Sequence, residues 1–296
     1  MIPLPKTPTD TIKLCDWLEI GALLADDSSA SSGDLKAVLR RAGIYDAGGE
    51  NALDLKVLDV FHEFEQRETA AGGFYPFKLR GGLLTVDNWP SRVPYVFCLC
   101  LSYFGWKNKI GNVTYPRRLF EDLSCDAAKN YLHGKAVRFA SPRVSLPKGF
   151  QKAVSALCIS HLREGEGCRI RPLLSAKDDT IDVVAWQDFP DGFPNKLLLF
   201  GGCASGNNWE GKINDCQPDA FCEDWMIIKP VSQLIKTFFI PHRIDKDIWF
   251  KHSRRCGIIF DRCRIAYWVA DGNTPGSVWN KNSSYEWSKQ MIESHR

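Results

Sequence analysis

The sequence predicts an α/β protein, a mixed β-sheet flanked by helices and preceded by a helical N-terminal region. Three observations carry this. The first third of the 296 residues repeats its apolar side chains at helical spacing. From Arg117 onward, strand-like runs alternate with helical ones in the order helix, three strands, helix, strand. The composition, 44% hydrophobic and 25% charged, is that of a chain able to bury a sizeable core.

Taken in order, Thr9 or Asp10 can cap a helix through "TIKLCDWLEIGALLA" that ends at Asp26-Asp27-Ser28-Ser29. Ser32 is placed to cap a second helix, with Leu35, Val38 and Leu39 as its apolar stripe and Gly43 as its stop. Leu53, Val57, Val60, Phe61 and Phe64 mark a third. "FYPFKLRGGLLTV" reads as a hairpin and residues 93–104 as an apolar helix, followed by the loop "GWKNKIGNVTYP". "RRLFEDLSCDAAKNYLHG" is a helix stopped by Gly134, and "KGFQKAVSALCISHLREG" another. Four strand candidates follow: "RIRPLLS", "TIDVVAW", "KLLLFGGC" and, after a further helical stretch, "KTFFIPHR". The turn "PDGFPN" makes a hairpin of the second and third. The helix "KDIWFKHSRRCG" and a strand over "IIFDRCRIAYWV" close the chain. The expected division is a helical docking or regulatory region over 1–112 and an α/β domain over 113–296.

Composition also excludes. Net charge is +3 and no block of five like charges occurs, so neither a nucleic-acid-binding tail nor an acidic arm is present. The N-terminal "MIPLPKTPTD" lacks an apolar signal-peptide core, and the longest apolar stretch, 93–106, is short of the roughly 20 residues of a membrane span. Eleven cysteines, scattered singly and without a C-x-x-C pair, suit free thiols in a reducing compartment, so the expected location is the cytoplasm. Six dispersed histidines offer no zinc-ligand spacing.

The candidate chemistry centres on "KDDTIDVVAW" (177–186). Alternation puts Asp182, Val184 and Trp186 on one strand face and Val183 and Ala185 on the other. Two readings of Asp182 stand. It is a turn or cap carboxylate beside Asp178-Asp179-Thr180, or a ligand for a divalent metal that polarises a phosphodiester. "FGGCASGN" (200–207) lacks the G-K-[ST] ending of a phosphate loop, and Cys203 has no nearby partner that would make it a nucleophile. Arg254 and Arg255 on a helix, with Arg262 and Arg264 on one strand face, either contact phosphates or form an ordinary ion-paired surface.

The helix containing Phe120-Glu121, then Asp179-Thr180-Ile181-Asp182-Val183-Val184, then "KLLLFGGCASGNNWEGK", is similar to the PD-(D/E)xK restriction-endonuclease-like superfamily, in particular its Mrr-like branch. The likeness covers roughly residues 117–270. It implies a restriction-endonuclease-like sheet and a metal-dependent nuclease of a bacterial anti-phage or restriction system. The substrate would be DNA in preference to RNA, with a partner protein of a defence complex. It further implies Mg²⁺ (or Mn²⁺) held by Asp182 with Asp179 or Glu121. Where the family carries an acid, any residue and a lysine, this chain has Gly202-Cys203-Ala204. The triplet Glu210-Gly211-Lys212 lies farther on, at the start of a helix capped by Asn207 or Asn208, and Lys212 is the candidate for a relocated lysine. The same departure opens the alternative, a catalytically inactive nuclease fold serving as a binding or assembly scaffold.

Overall fold

The computed structural model describes residues 3–43, 49–106, 115–170, 179–269 and 276–296. The chain is mixed α/β, with ten α-helices and two sheets among the described residues. Helix α1 (Thr11–Leu24) starts where the Asp10 side chain accepts from the Lys13 amide. Strand β1 (Ser29–Ser31) was not expected. Its last residue, Ser31 rather than Ser32, caps α2 (Ser32–Arg41) through a reciprocal box with Asp34. After α3 (Gly49–Ala71), the hairpin β2 (Phe77–Arg80) and β3 (Leu83–Val86) turns at Gly81-Gly82. With β1 it forms an antiparallel sheet in the order β1-β3-β2. The apolar helix α4 (Val93–Phe104) follows.

The larger sheet begins at a strand the sequence did not announce, β4 (Lys135–Arg138), directly after α5 (Pro116–Leu132). The segment expected to supply a strand, "RIRPLLS", is described only at its first two residues. Arg169 and Ile170 are outside any strand, and its residues 171–175 lie outside the described residues, as does Asp178. Helix α6 (Phe150–Ala156) runs into a π-helical turn at Leu157–Leu162. Then come β5 (Val183–Trp186), β6 (Leu197–Cys203), α7 (Pro218–Trp225), β7 (Gln233–Phe239), α8 (Lys246–Cys256) and β8 (Ile258–Phe260). The sheet order is β4-β5-β6-β7-β8. The first two pairings are antiparallel and the last two parallel.

The expected strand over "IIFDRCRIAYWV" is corrected after three residues. Asp261 accepts from the Arg264 amide and starts helix α9 (Arg262–Val269), whose buried Arg262, Ile265, Ala266 and Val269 recur at helical spacing. Helix α10 (Lys281–Glu293), also unannounced, ends the chain.

Strand alternation decides the layers. Val183, Ala185 and Leu199 face a cluster shared with α1, α3, α4, α5, α9 and α10. Val184, Trp186, Leu198 and Phe200 face one shared with α6 and α7. The first of these clusters runs without a break from the N-terminal helices to one face of the larger sheet. The expected boundary at 112/113 lies among undescribed residues, and packing does not separate the two regions on either side of it. No helix among the described residues is long and apolar enough to cross a membrane.

Candidate functional site

Helix α5 lies across the sheet face at β4 and β5 and carries Phe120-Glu121-Asp122 in its second turn. Phe120 is buried in the core, which rotates Glu121 and Asp122 toward the rim, where each keeps about a fifth of its side chain exposed. Between them lies Arg138, the last residue of β4. Its Nη1 is 3.3 Å from Glu121 Oε2 and its Nε 2.8 Å from Asp122 Oδ1. Burial outweighs the attraction of the guanidinium and pushes Glu121 up to about 7 and Asp122 up to about 6.

Asp182 stands one residue before β5. Its amide donates to Gly201 O, its carbonyl accepts from Phe139 and Ala140, and its Oδ2 accepts from the Cys203 amide at 2.7 Å. The carboxylate therefore closes the end of the β5–β6 ladder. Cys203, at the end of β6, lies in the field of both Asp182 and Glu121, with the Ser124 hydroxyl against its thiol. Burial first, then those two charges, push the thiol well up, which keeps it protonated.

At the place of the family's acid, Gly202, a side chain would be tightly confined, and the residue before it is closed off altogether. A Cβ at Gly201 would lie 2.4 Å from the Phe239 ring, and one at Gly202 would meet the Cys216 side chain at 3.2 Å. Asp179 is taken up structurally: its Oδ2 accepts from Trp225 Nε1 at 2.7 Å, while Thr180 Oγ1 donates to the Asp215 carbonyl. Lys212 ends a single 3-10 turn, Trp209–Lys212, which follows Asn208 without a side-chain cap bond. Among the described residues Lys212 makes no ion pair with Asp182, Asp179 or Glu121.

The predicted residues thus divide. Glu121 and Asp182 are brought to one rim around Cys203; Asp179 is taken up by Trp225 instead. The implied Mg²⁺ or Mn²⁺ does not fit these donors. Glu121 is bound to Arg138, Asp182 to a backbone amide, and no group of three or more His, Cys, Asp and Glu side chains among the described residues is placed to hold a metal ion.

The basic residues divide as well. Arg254 and Arg255 are exposed in the last turn of α8. Arg264 is exposed on α9, over the Trp249 ring. Arg262 is fully buried against Asp16, Glu19 and Ser102, so it cannot meet a phosphate at the surface. Arg138 and Asp122 escaped the sequence reading because β4 itself did; the acid adjacent to Glu121 was the available signal.

No family model, curated protein or solved structure matches the chain.

Proposed function

We propose that the chain is a catalytically inactive nuclease-like protein, a binding or assembly subunit instead of a hydrolase. The observation that carries this reading is Arg138, whose guanidinium lies between Glu121 and Asp122 where a nuclease would present carboxylates to a cation. A fixed internal cation at that rim opposes a second, divalent one. Gly202, which stands without a side chain at the place of the family's acid and is tightly confined by Cys216, supports it independently. The kinship with the nuclease superfamily draws support from a sheet in which β4, β5 and β6 pair antiparallel and β7, after α7, pairs parallel, with α5 before β4 and α6 inserted between β4 and β5, and from Glu121 and Asp182 lying at one rim. A partner protein of a defence complex is the setting this kinship suggests.

The test is cleavage of plasmid DNA, single-stranded DNA and RNA with Mg²⁺, Mn²⁺ or EDTA, comparing wild type with Asp182→Ala, alongside a Mg²⁺ titration of both proteins. The expected result is no metal-dependent cutting and no difference in metal affinity. Cutting that needs metal and disappears with Asp182 would restore the nuclease reading, with Glu121 and Asp182 as ligands.

A further inference from the structure

Beyond that rim, at the opposite edge of the sheet, a cavity of about 320 Å³ opens beside β8. Its walls come from three elements. Tyr131 stands at the end of α5, ten residues and so roughly 15 Å along the helix from Glu121. Tyr267 and Trp268 come from α9, and Phe260 from β8. The rings meet at right angles: Tyr131 to Phe260 at 88° and 5.3 Å, Tyr131 to Trp268 at 86° and 5.2 Å, Tyr267 to Trp268 at 88° and 5.2 Å. Edge-to-face packing fixes the ring planes, so these walls are preorganised.

The polar wall is Arg264. Its guanidinium is held 4.4 Å over the Trp249 ring while Nη1 donates to the Ile259 carbonyl at 2.9 Å, which leaves further donors of the fork for a ligand. None of the lining side chains is acidic. Next to the cavity α8 ends in exposed Arg254 and Arg255, and Gly257 leads directly from it into the lining residue Ile258.

We propose that this cavity binds a nucleotide, with a planar base seated against Tyr131, Tyr267 and Trp268 and its phosphate directed to Arg264 and the α8 arginines. The charge of the walls selects among ligands. An aromatic box also suits a quaternary ammonium, but Arg264 would repel one. An extended peptide adding to the β8 edge would need the Ile259 carbonyl, which Arg264 occupies. A purely apolar ligand would offer nothing to the remaining guanidinium donors and the tyrosine hydroxyls. A base stacks on aromatic faces regardless of its identity, and its phosphate matches an arginine fork. The same chemistry is offered by a free nucleotide and by the end of a single strand. The site is independent of whether the Glu121–Asp182 rim is catalytic.

The experiment is calorimetric titration of the full chain with AMP, adenosine, a 5′-phosphorylated ten-nucleotide oligothymidylate and tetramethylammonium. It is repeated with Arg264→Gln, Tyr267→Ala and, as a remote control, Arg163→Gln. Arg264→Gln is expected to weaken AMP or the oligonucleotide at least tenfold and adenosine less than threefold. Tyr267→Ala should weaken all three, and Arg163→Gln should change nothing. Binding of AMP identifies a free nucleotide as the source, and binding of the oligonucleotide alone identifies a strand end. The proposal is overturned if wild type binds neither, if Arg264→Gln leaves the affinity unchanged, or if tetramethylammonium binds in their place. Arg264 is exposed, so its variant keeps the test decisive even should Tyr267→Ala fail to fold.

Discussion

Glu121 enters the candidate site only through the resemblance, and its partner in the structure is a residue the sequence did not point to, Arg138. The Phe-Glu pair in an amphipathic helix matches the family's helical glutamate, and the structure sets Glu121 against Arg138. What the sequence could not reveal was Arg138, because Lys135–Arg138 is too short for its alternation to stand out. The native carboxyl at about 7 binds its proton more tightly than the unfolded chain, whose ordinary value is 4.5. The stability it contributes is therefore fully present below pH about 4.5 and is lost as pH rises through about 7. Glu121→Gln is expected to flatten the fall in melting temperature between pH 5 and pH 8, as followed by circular dichroism. Arg138→Met should act in the other direction. It leaves two buried carboxylates without their cation, costing about 3–5 kcal/mol in urea melts at pH 8 and less at pH 5, where protons relieve them.

At the scale of elements, legibility followed length and caps. Helices α1, α4, α5 and α8 were placed nearly to the residue because stripes of several turns and a capping acid or proline coincide there. The hairpin β5–β6 was legible from its turn. The segment after β8 was misread because Arg262 and Arg264, two residues apart, mimic alternation over a stretch whose buried set recurs every three or four residues. The connection from α8 to β8 makes a sharper prediction. Gly257 has φ 70° and ψ −134°, a conformation that side chains resist, and a Cβ there would lie 2.1 Å from the Lys236 carbonyl oxygen. Gly257→Ala is expected to cost about 3 kcal/mol in chemical denaturation, since neither strain nor overlap can be relieved without displacing the edge strand.

For the molecule as a whole, the decisive feature is a buried ionic network that no spacing rule would find, because its members lie up to 246 residues apart. Arg67, fully enclosed, bonds Asp16, Glu19 and Glu63; Arg262 reaches Asp16 and Ser102. Arg243 joins Glu63 to Asp261, and the Tyr75 and Tyr95 hydroxyls both donate to Glu19. Four carboxylates from one end of the chain and the other share three guanidiniums, so removing either end strands buried charge. Residues 113–296 produced alone would strip α9 and α10 of α3 and α4, unpack Trp287 from Phe97, and deprive Arg243 and Arg262 of Glu63, Asp16 and Glu19. That fragment is expected to give no cooperative thermal transition and to bind a hydrophobic dye, while the full chain melts in one step. A fragment that melts cooperatively near the temperature of the full chain would establish the first 112 residues as a detachable module, and the network as an interface between two bodies. Arg262→Met separates the two contributions. It leaves an apolar side chain beside the Tyr95 ring and removes the guanidinium that lies over it, and a loss of about 3–5 kcal/mol in the full chain would assign the coupling to the network.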